Sequence, residues 1–97
     1  MTPKSVQSEK SDSLLKRYQP PKEILAGHKE FIQKVGEKLH QIRIMKNMKP
    51  SQLSTKSGVS RTLIYRIESG NAYFTISTLL QVLDALEISA IDFFKEL

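Results

Sequence analysis

The chain has 97 residues, a net charge of +5 and no cysteine. That length allows one small domain plus a tail, and the missing thiols exclude a disulfide framework or a thiolate metal site. No apolar run approaches the roughly 18–20 residues that cross a bilayer, and the opening MTPKSVQSEKSDS lacks the apolar stretch of a secretory signal. A soluble cytoplasmic protein with no membrane partner is expected.

Residues 1–28 read as a flexible N-terminal arm. Ser, Lys and Gln are frequent in the first twenty positions, and Leu14, Leu15 and Tyr18 are too few apolar groups to offset the entropy of ordering them. Pro20-Pro21 interrupts the chain, and Pro21 can open a short helix near 21–28, PKEILAGH, which Gly27 weakens before the next element. The domain proper is expected over 29–97.

From Phe31 the apolar period is helical. Phe31, Val35, Leu39, Ile42 and Met45 recur at steps of three and four, with Lys34, Lys38, Gln41 and Lys46 toward water. Asn47 suits the left-handed residue that ends such a helix. Pro50 fits the first position of a short second helix anchored by Leu53, and Gly58 supplies the positive φ of a tight turn. Val59 then plugs the angle, and Ser60 caps a third helix, RTLIYRIES, which Gly70 ends. Thr75 caps a fourth helix with Ile76, Leu79, Leu80, Leu83 and Leu86 on its buried side. Ser89 opens a last one, AIDFFKEL. No strand alternation or repeat appears, so the fold class expected is a compact all-α, five-helix domain.

On a helical wheel, Ile64 and Ile67 define the inward side of the third helix. Thr62, Tyr65, Arg66 and Ser69 lie opposite, and Arg61 sits at the exposed N-terminal end. This face is cationic, polar and aromatic without an acid, whereas an ordinary solvated face mixes both signs. Arg can pair with guanine edges or phosphate, and Thr can touch a thymine methyl. Ser54, after Leu53, is small enough for the second and third helices to approach closely. Glu68 falls about 70° from the inward direction, where a carboxylate needs a cation. Arg43, one step after Ile42, is the partner expected, in an ion pair that sets how the third helix sits on the first.

Charge is partitioned along the chain. Lys38, Arg43, Lys46, Lys49, Lys56, Arg61 and Arg66 fall between Glu37 and Glu68 without an intervening acid, and the sign reverses after Glu68. One face meeting a polyanion leaves this footprint. His28 and His40 lack partners at ligand spacing and read as solvated helix residues, so neither a metal nor a cofactor is expected. With no Ser/His/Asp set, paired carboxylates or Gly-rich phosphate loop, an enzyme is not expected either.

Residues 35–88 resemble the phage-repressor and Cro-like (XRE) helix-turn-helix family. The marks are Gly36 and Arg43, Leu53, Gly58-Val59-Ser60, Ile64, Ile67-Glu68, Gly70, Leu79 and Leu86. The resemblance implies a lambda-repressor-like domain whose helix-turn-helix unit, residues 50–69, binds double-stranded DNA as a homodimer at a near-palindromic operator. It assigns base reading to Arg61, Thr62, Tyr65 and Arg66, and phosphate contacts to Ser51, Gln52, Ser60, Asn71, Tyr73 and Thr75, with Lys49 beside them. Its Arg–Glu pair falls on Arg43 and Glu68. Pro50 stands where the family often has glutamine, Ser54 replaces a common alanine, and Phe74 replaces a frequent proline. A dimeric repressor is the leading expectation, with Phe93, Phe94 and Leu97 as the apolar patch that pairs two copies. The alternative is an antitoxin, with Leu14, Leu15, Tyr18, Ile24 and Leu25 on an extension that grips a toxin protein.

Overall fold

The computed structural model describes residues 22–97, with side chains from residue 26 onward. Five helices follow one another: α1 (Lys22–Met45), α2 (Pro50–Ser57), α3 (Arg61–Glu68), α4 (Ile76–Ala85) and α5 (Ala90–Lys95). No strand occurs among the described residues. Residues 1–21, and with them Leu14, Leu15 and Tyr18 of the expected arm, lie outside the described residues.

The remainder of that arm is helical. α1 runs unbroken through Gly27, which the sequence reading took as a weak point before a new helix. A glycine inside a helix costs about 0.5–1 kcal/mol relative to alanine, which weakens a helix without ending it. Chain-ending geometry comes instead at Asn47, in the left-handed region at φ 57°. The Met48 amide returns to the Arg43 carbonyl at 3.1 Å. The same closure recurs at Gly70, where Asn71 N–H reaches Arg66 O at 2.8 Å, and at Glu87, where Ile88 N–H reaches Leu83 O at 3.1 Å. Glu87 is the unexpected member, because nothing about a glutamate advertises positive φ.

Helix starts follow the polar caps. Ser60, Thr75 and Ser89 side chains accept from the amides of Leu63, Thr78 and Asp92. At α2, where Pro50 opens the helix, the Lys49 amide donates to Gln52 Oε1 at 2.7 Å. Gly58 turns the chain at φ 77°, and Val59 is buried behind it.

α1 packs against α3, and α2 packs against both α3 and α4. Val35, Leu39 and Ile42 meet Leu53, Ile64, Ile67, Leu79, Leu83, Leu86 and Phe93 in one core. The ends of the expected apolar stripes are outside it. Phe31, Met45, Ile76 and Leu80 are exposed, while Val82 and Ala85 are buried on α4. A periodic stripe reports direction around a helix but not how far the helix overhangs its neighbours. Phe93 also departs from expectation. It is 0 % exposed within its own chain, so it is a core residue and not part of a surface for a second copy. Phe94 and Leu97 remain exposed, and the Phe94 ring stacks parallel to Phe31 at 6.4 Å.

Candidate nucleic-acid interface

Two contacts set the angle at which α3 sits on α1. The first is steric. A Cβ added at Gly36 would run into the carbonyl oxygen of Ile67, so α1 and the end of α3 approach as closely as backbones allow. One turn earlier, Gln33 lies against Gly70, where an added Cβ would sit 2.6 Å from Gln33 Cγ. The second contact is ionic. Arg43 Nε donates to Glu68 Oε2 at 2.7 Å and Nη2 donates to Oε1 at 3.0 Å. Both side chains are nearly buried, 7 % and 8 % exposed. The third arm of the guanidinium, Nη1, donates to the Met48 carbonyl at 2.8 Å. Arg43 therefore ties the end of α1, the following turn and α3 together, a use of its planar fork that lysine cannot copy.

His40, half-exposed on α1 as a solvated helix residue would be, also joins them. Its Nδ1 lies 2.8 Å from Glu68 Oε1 and 3.2 Å from Arg43 Nη2, and because an ionised carboxylate only accepts, the bond to Glu68 forms in the tautomer that carries the proton on Nδ1. The spacing held the signal: His40 precedes Arg43 by three residues, which on a helix is the same face. Burial pushes the Glu68 carboxyl up, but the hydrogen bonds from Arg43 and His40, with their charges, outweigh it and hold the group below its ordinary value. The hydrogen bond to Glu68 raises Arg43 correspondingly, against burial.

With Ile64 and Ile67 buried and Glu68 neutralised, α3 presents Arg61, Thr62, Tyr65 and Arg66 to solvent. Tyr65 is 53 % exposed. Arg61, Arg66, Lys46 and Lys49 form no ion pair among the described residues. Lys56 differs, since it is 3.2 Å from Glu87.

The expected phosphate-side residues fall on two flanks of α3. Lys49, Ser51 and Gln52 gather at the start of α2, where the helix dipole favours an anion, although Pro50 has no N–H and the Gln52 amide already donates to the Lys49 carbonyl at 3.0 Å. The Gln52 carbonyl oxygen is held by the Lys49 amide, so its NH2 remains as the group to donate. Ser60 Oγ accepts the cap bond from Leu63 and keeps its own proton to donate. On the other flank, Asn71 Nδ2 donates to Ser69 Oγ at 3.3 Å, and Arg66 Nη2 donates to the Asn71 carbonyl at 3.4 Å. Arg66 is thereby drawn toward the loop. Tyr73 is 82 % exposed, whereas the Thr75 hydroxyl is engaged with both the amide and the hydroxyl of Thr78. Among the described residues no three His, Asp or Glu side chains gather as a metal site, and no helix is long and apolar enough to cross a membrane.

Comparison with known proteins agrees with this arrangement. The helix-turn-helix family model matches residues 39–93. None of the curated protein sequences matches. Among solved structures, the wild-type restriction-modification controller protein C.Esp1396I is similar at 34% identity and a TM-score of 0.64, over 67% of this chain and 84% of that one. The tetramer of that protein in complex with its natural 35 base-pair operator is similar at the same identity and TM-score, over 67% and 86%. The controller protein C.AhdI from Aeromonas hydrophila has 25% identity, a TM-score of 0.64 and coverage of 67% and 98%. The chain belongs to the phage-repressor and Cro-like (XRE) family of helix-turn-helix DNA-binding transcriptional regulators.

Proposed function

We propose that the protein is a repressor that binds a near-palindromic operator as a homodimer, with α3 in the major groove. The observation that carries this is the contrast between the two sides of α3. Its inner side is locked by Gly36, Arg43 and His40, and its outer side offers Arg61, Thr62, Tyr65 and Arg66 with no acid beside them. Those four read base edges. Lys49, Ser51, Gln52 and Ser60 on one flank, and Asn71, Tyr73 and Thr75 on the other, hold the backbone register. Occupancy of a promoter is enough to repress, whereas activation needs a further contact with polymerase.

Pairing rests on exposed apolar groups of α5 and of the N-terminal half of α1. Phe94, stacked on Phe31, and Leu97 are solvent-facing beside Ile91. A second copy is the occupant that suits this patch, because the controller protein structures include an operator-bound tetramer. The toxin-partner alternative gains no support from any comparison. Its Ile24 and Leu25 belong to α1, and the rest of its proposed extension lies outside the described residues.

Selection from random-sequence duplexes tests the reading. The wild-type chain is expected to enrich a motif with two related half-sites. Arg66→Ala is expected to relax one position in each half and to cost about 1–3 kcal/mol of binding. A variant motif identical to the wild-type one would remove Arg66 from base reading.

A further inference from the structure

The N-terminal half of α1 adds something outside the helix-turn-helix unit. Lys29, Gln33 and Gly36 lie at steps of four and three, on the stripe that packs against the end of α3. With Gln33 fixed against Gly70, Lys29 comes out one turn further, beside the loop that follows α3. There an open groove of about 370 Å³ runs between helix and loop, lined by Lys29, Ile32, Arg66, Asn71 and Tyr73. Its lining holds two cations and no carboxylate. Lys29 is exposed and forms no ion pair among the described residues, and the Tyr73 hydroxyl has no partner there either. Arg66 is held at the edge of the groove by the Asn71 carbonyl. An enclosed apolar pocket would suit a small organic ligand. An open trough with ammonium, guanidinium and phenol donors suits a phosphodiester.

We propose that Lys29, with Tyr73, holds a backbone phosphate of the operator just beyond the contacts of α3, so that the DNA footprint extends onto α1. The proposal rests on the reading of α3 as the base-reading helix. It makes α1 both the brace behind α3 and a DNA contact in its own right. The phosphate held is the one flanking the loop side, next to the base pair that Arg66 addresses.

The test is a salt titration of binding by the full chain to the tightest duplex recovered from random-sequence selection. Lys34→Ala is the charge-matched control, because Lys34 lies on the other flank of α1 beside Glu37, Gln41 and Glu96. Lys29→Ala is expected to flatten the slope of log Kobs against log salt by about 0.9, with the enriched motif unchanged. Lys29→Arg is expected to restore the slope, and Lys34→Ala to leave it at the wild-type value. Ethylation interference is expected to lose one phosphate with Lys29→Ala. Equal slopes for wild type and Lys29→Ala, or equal changes from Lys29→Ala and Lys34→Ala, would overturn the assignment of Lys29 alone. A wild-type chain that enriches no duplex would overturn the base-reading role of α3 along with it.

Discussion

Glu68 is held by two donors from α1, and the consequences of cutting each differ. Arg43 is 5 % exposed, so Glu68→Ala leaves a buried guanidinium without its counter-ion and is expected to cost about 3–5 kcal/mol in urea unfolding. His40→Ala removes one bond from a half-exposed ring and is expected to cost no more than about 1 kcal/mol. The pH dependence follows from the depressed Glu68 carboxyl. Its contribution is complete above the ordinary carboxylate value of 4.5 and is lost as pH falls through the lower value of the folded state. Unfolding curves are therefore expected to show stability declining below about pH 4.5, with a shallower decline in Glu68→Gln. A decline of equal steepness in both proteins would place the acid sensitivity elsewhere. The Arg43–Glu68 pair was legible because a charge near the inward side of one helix requires a complement on another. His40 was legible only as a neighbour of Arg43 on the same helix face, and its contact with Glu68 became apparent when α3 was placed over α1.

At the scale of elements, the glycines separate two kinds of role. Gly27 has open space around it, so Gly27→Ala is expected to stabilise α1 by about 0.5–1 kcal/mol, measured by thermal unfolding. Gly36 faces the Ile67 carbonyl, and Gly36→Ala is expected to cost about 1–3 kcal/mol by forcing α1 away from α3. Because that crossing sets the tilt of α3, DNA affinity is expected to fall by more than the lost stability explains. Intact affinity in Gly36→Ala would show that the tilt tolerates adjustment. Caps and turns were legible at Asn47, Gly58, Ser60, Gly70, Thr75 and Ser89, where local chemistry decides the geometry. The continuity of α1 was not, since a single glycine weighs against helix locally while packing along the whole element decides the outcome. Exposure of Phe31, Met45 and Ile76 escaped for a related reason: each follows the apolar period but lies beyond the reach of the core.

Along the chain the basic residues of α2 and α3 are followed by the acidic side chains Asp84, Glu87, Asp92 and Glu96 on α4, α5 and the turns after them, with Glu87 reaching back to pair with Lys56 of α2. α5 divides its aromatic pair between two tasks. Phe93→Ala is expected to cost about 3–5 kcal/mol, as for a fully buried ring. Phe94→Asp is expected to leave the fold intact and to shift sedimentation from dimer to monomer, weakening operator binding with it. A Phe94→Asp chain that still sediments as a dimer would move the pairing surface elsewhere. The central claim is that the exposed face of α3 enters DNA as a unit fixed by α1. The most direct measurement is a titration of the labelled chain with its selected duplex, followed by amide chemical shifts. The account predicts the largest changes at Arg61, Thr62, Tyr65 and Arg66, with flanking changes at 49–52 and 71–75 and little over α5. Changes concentrated on α4 and α5, with α3 unmoved, would contradict it.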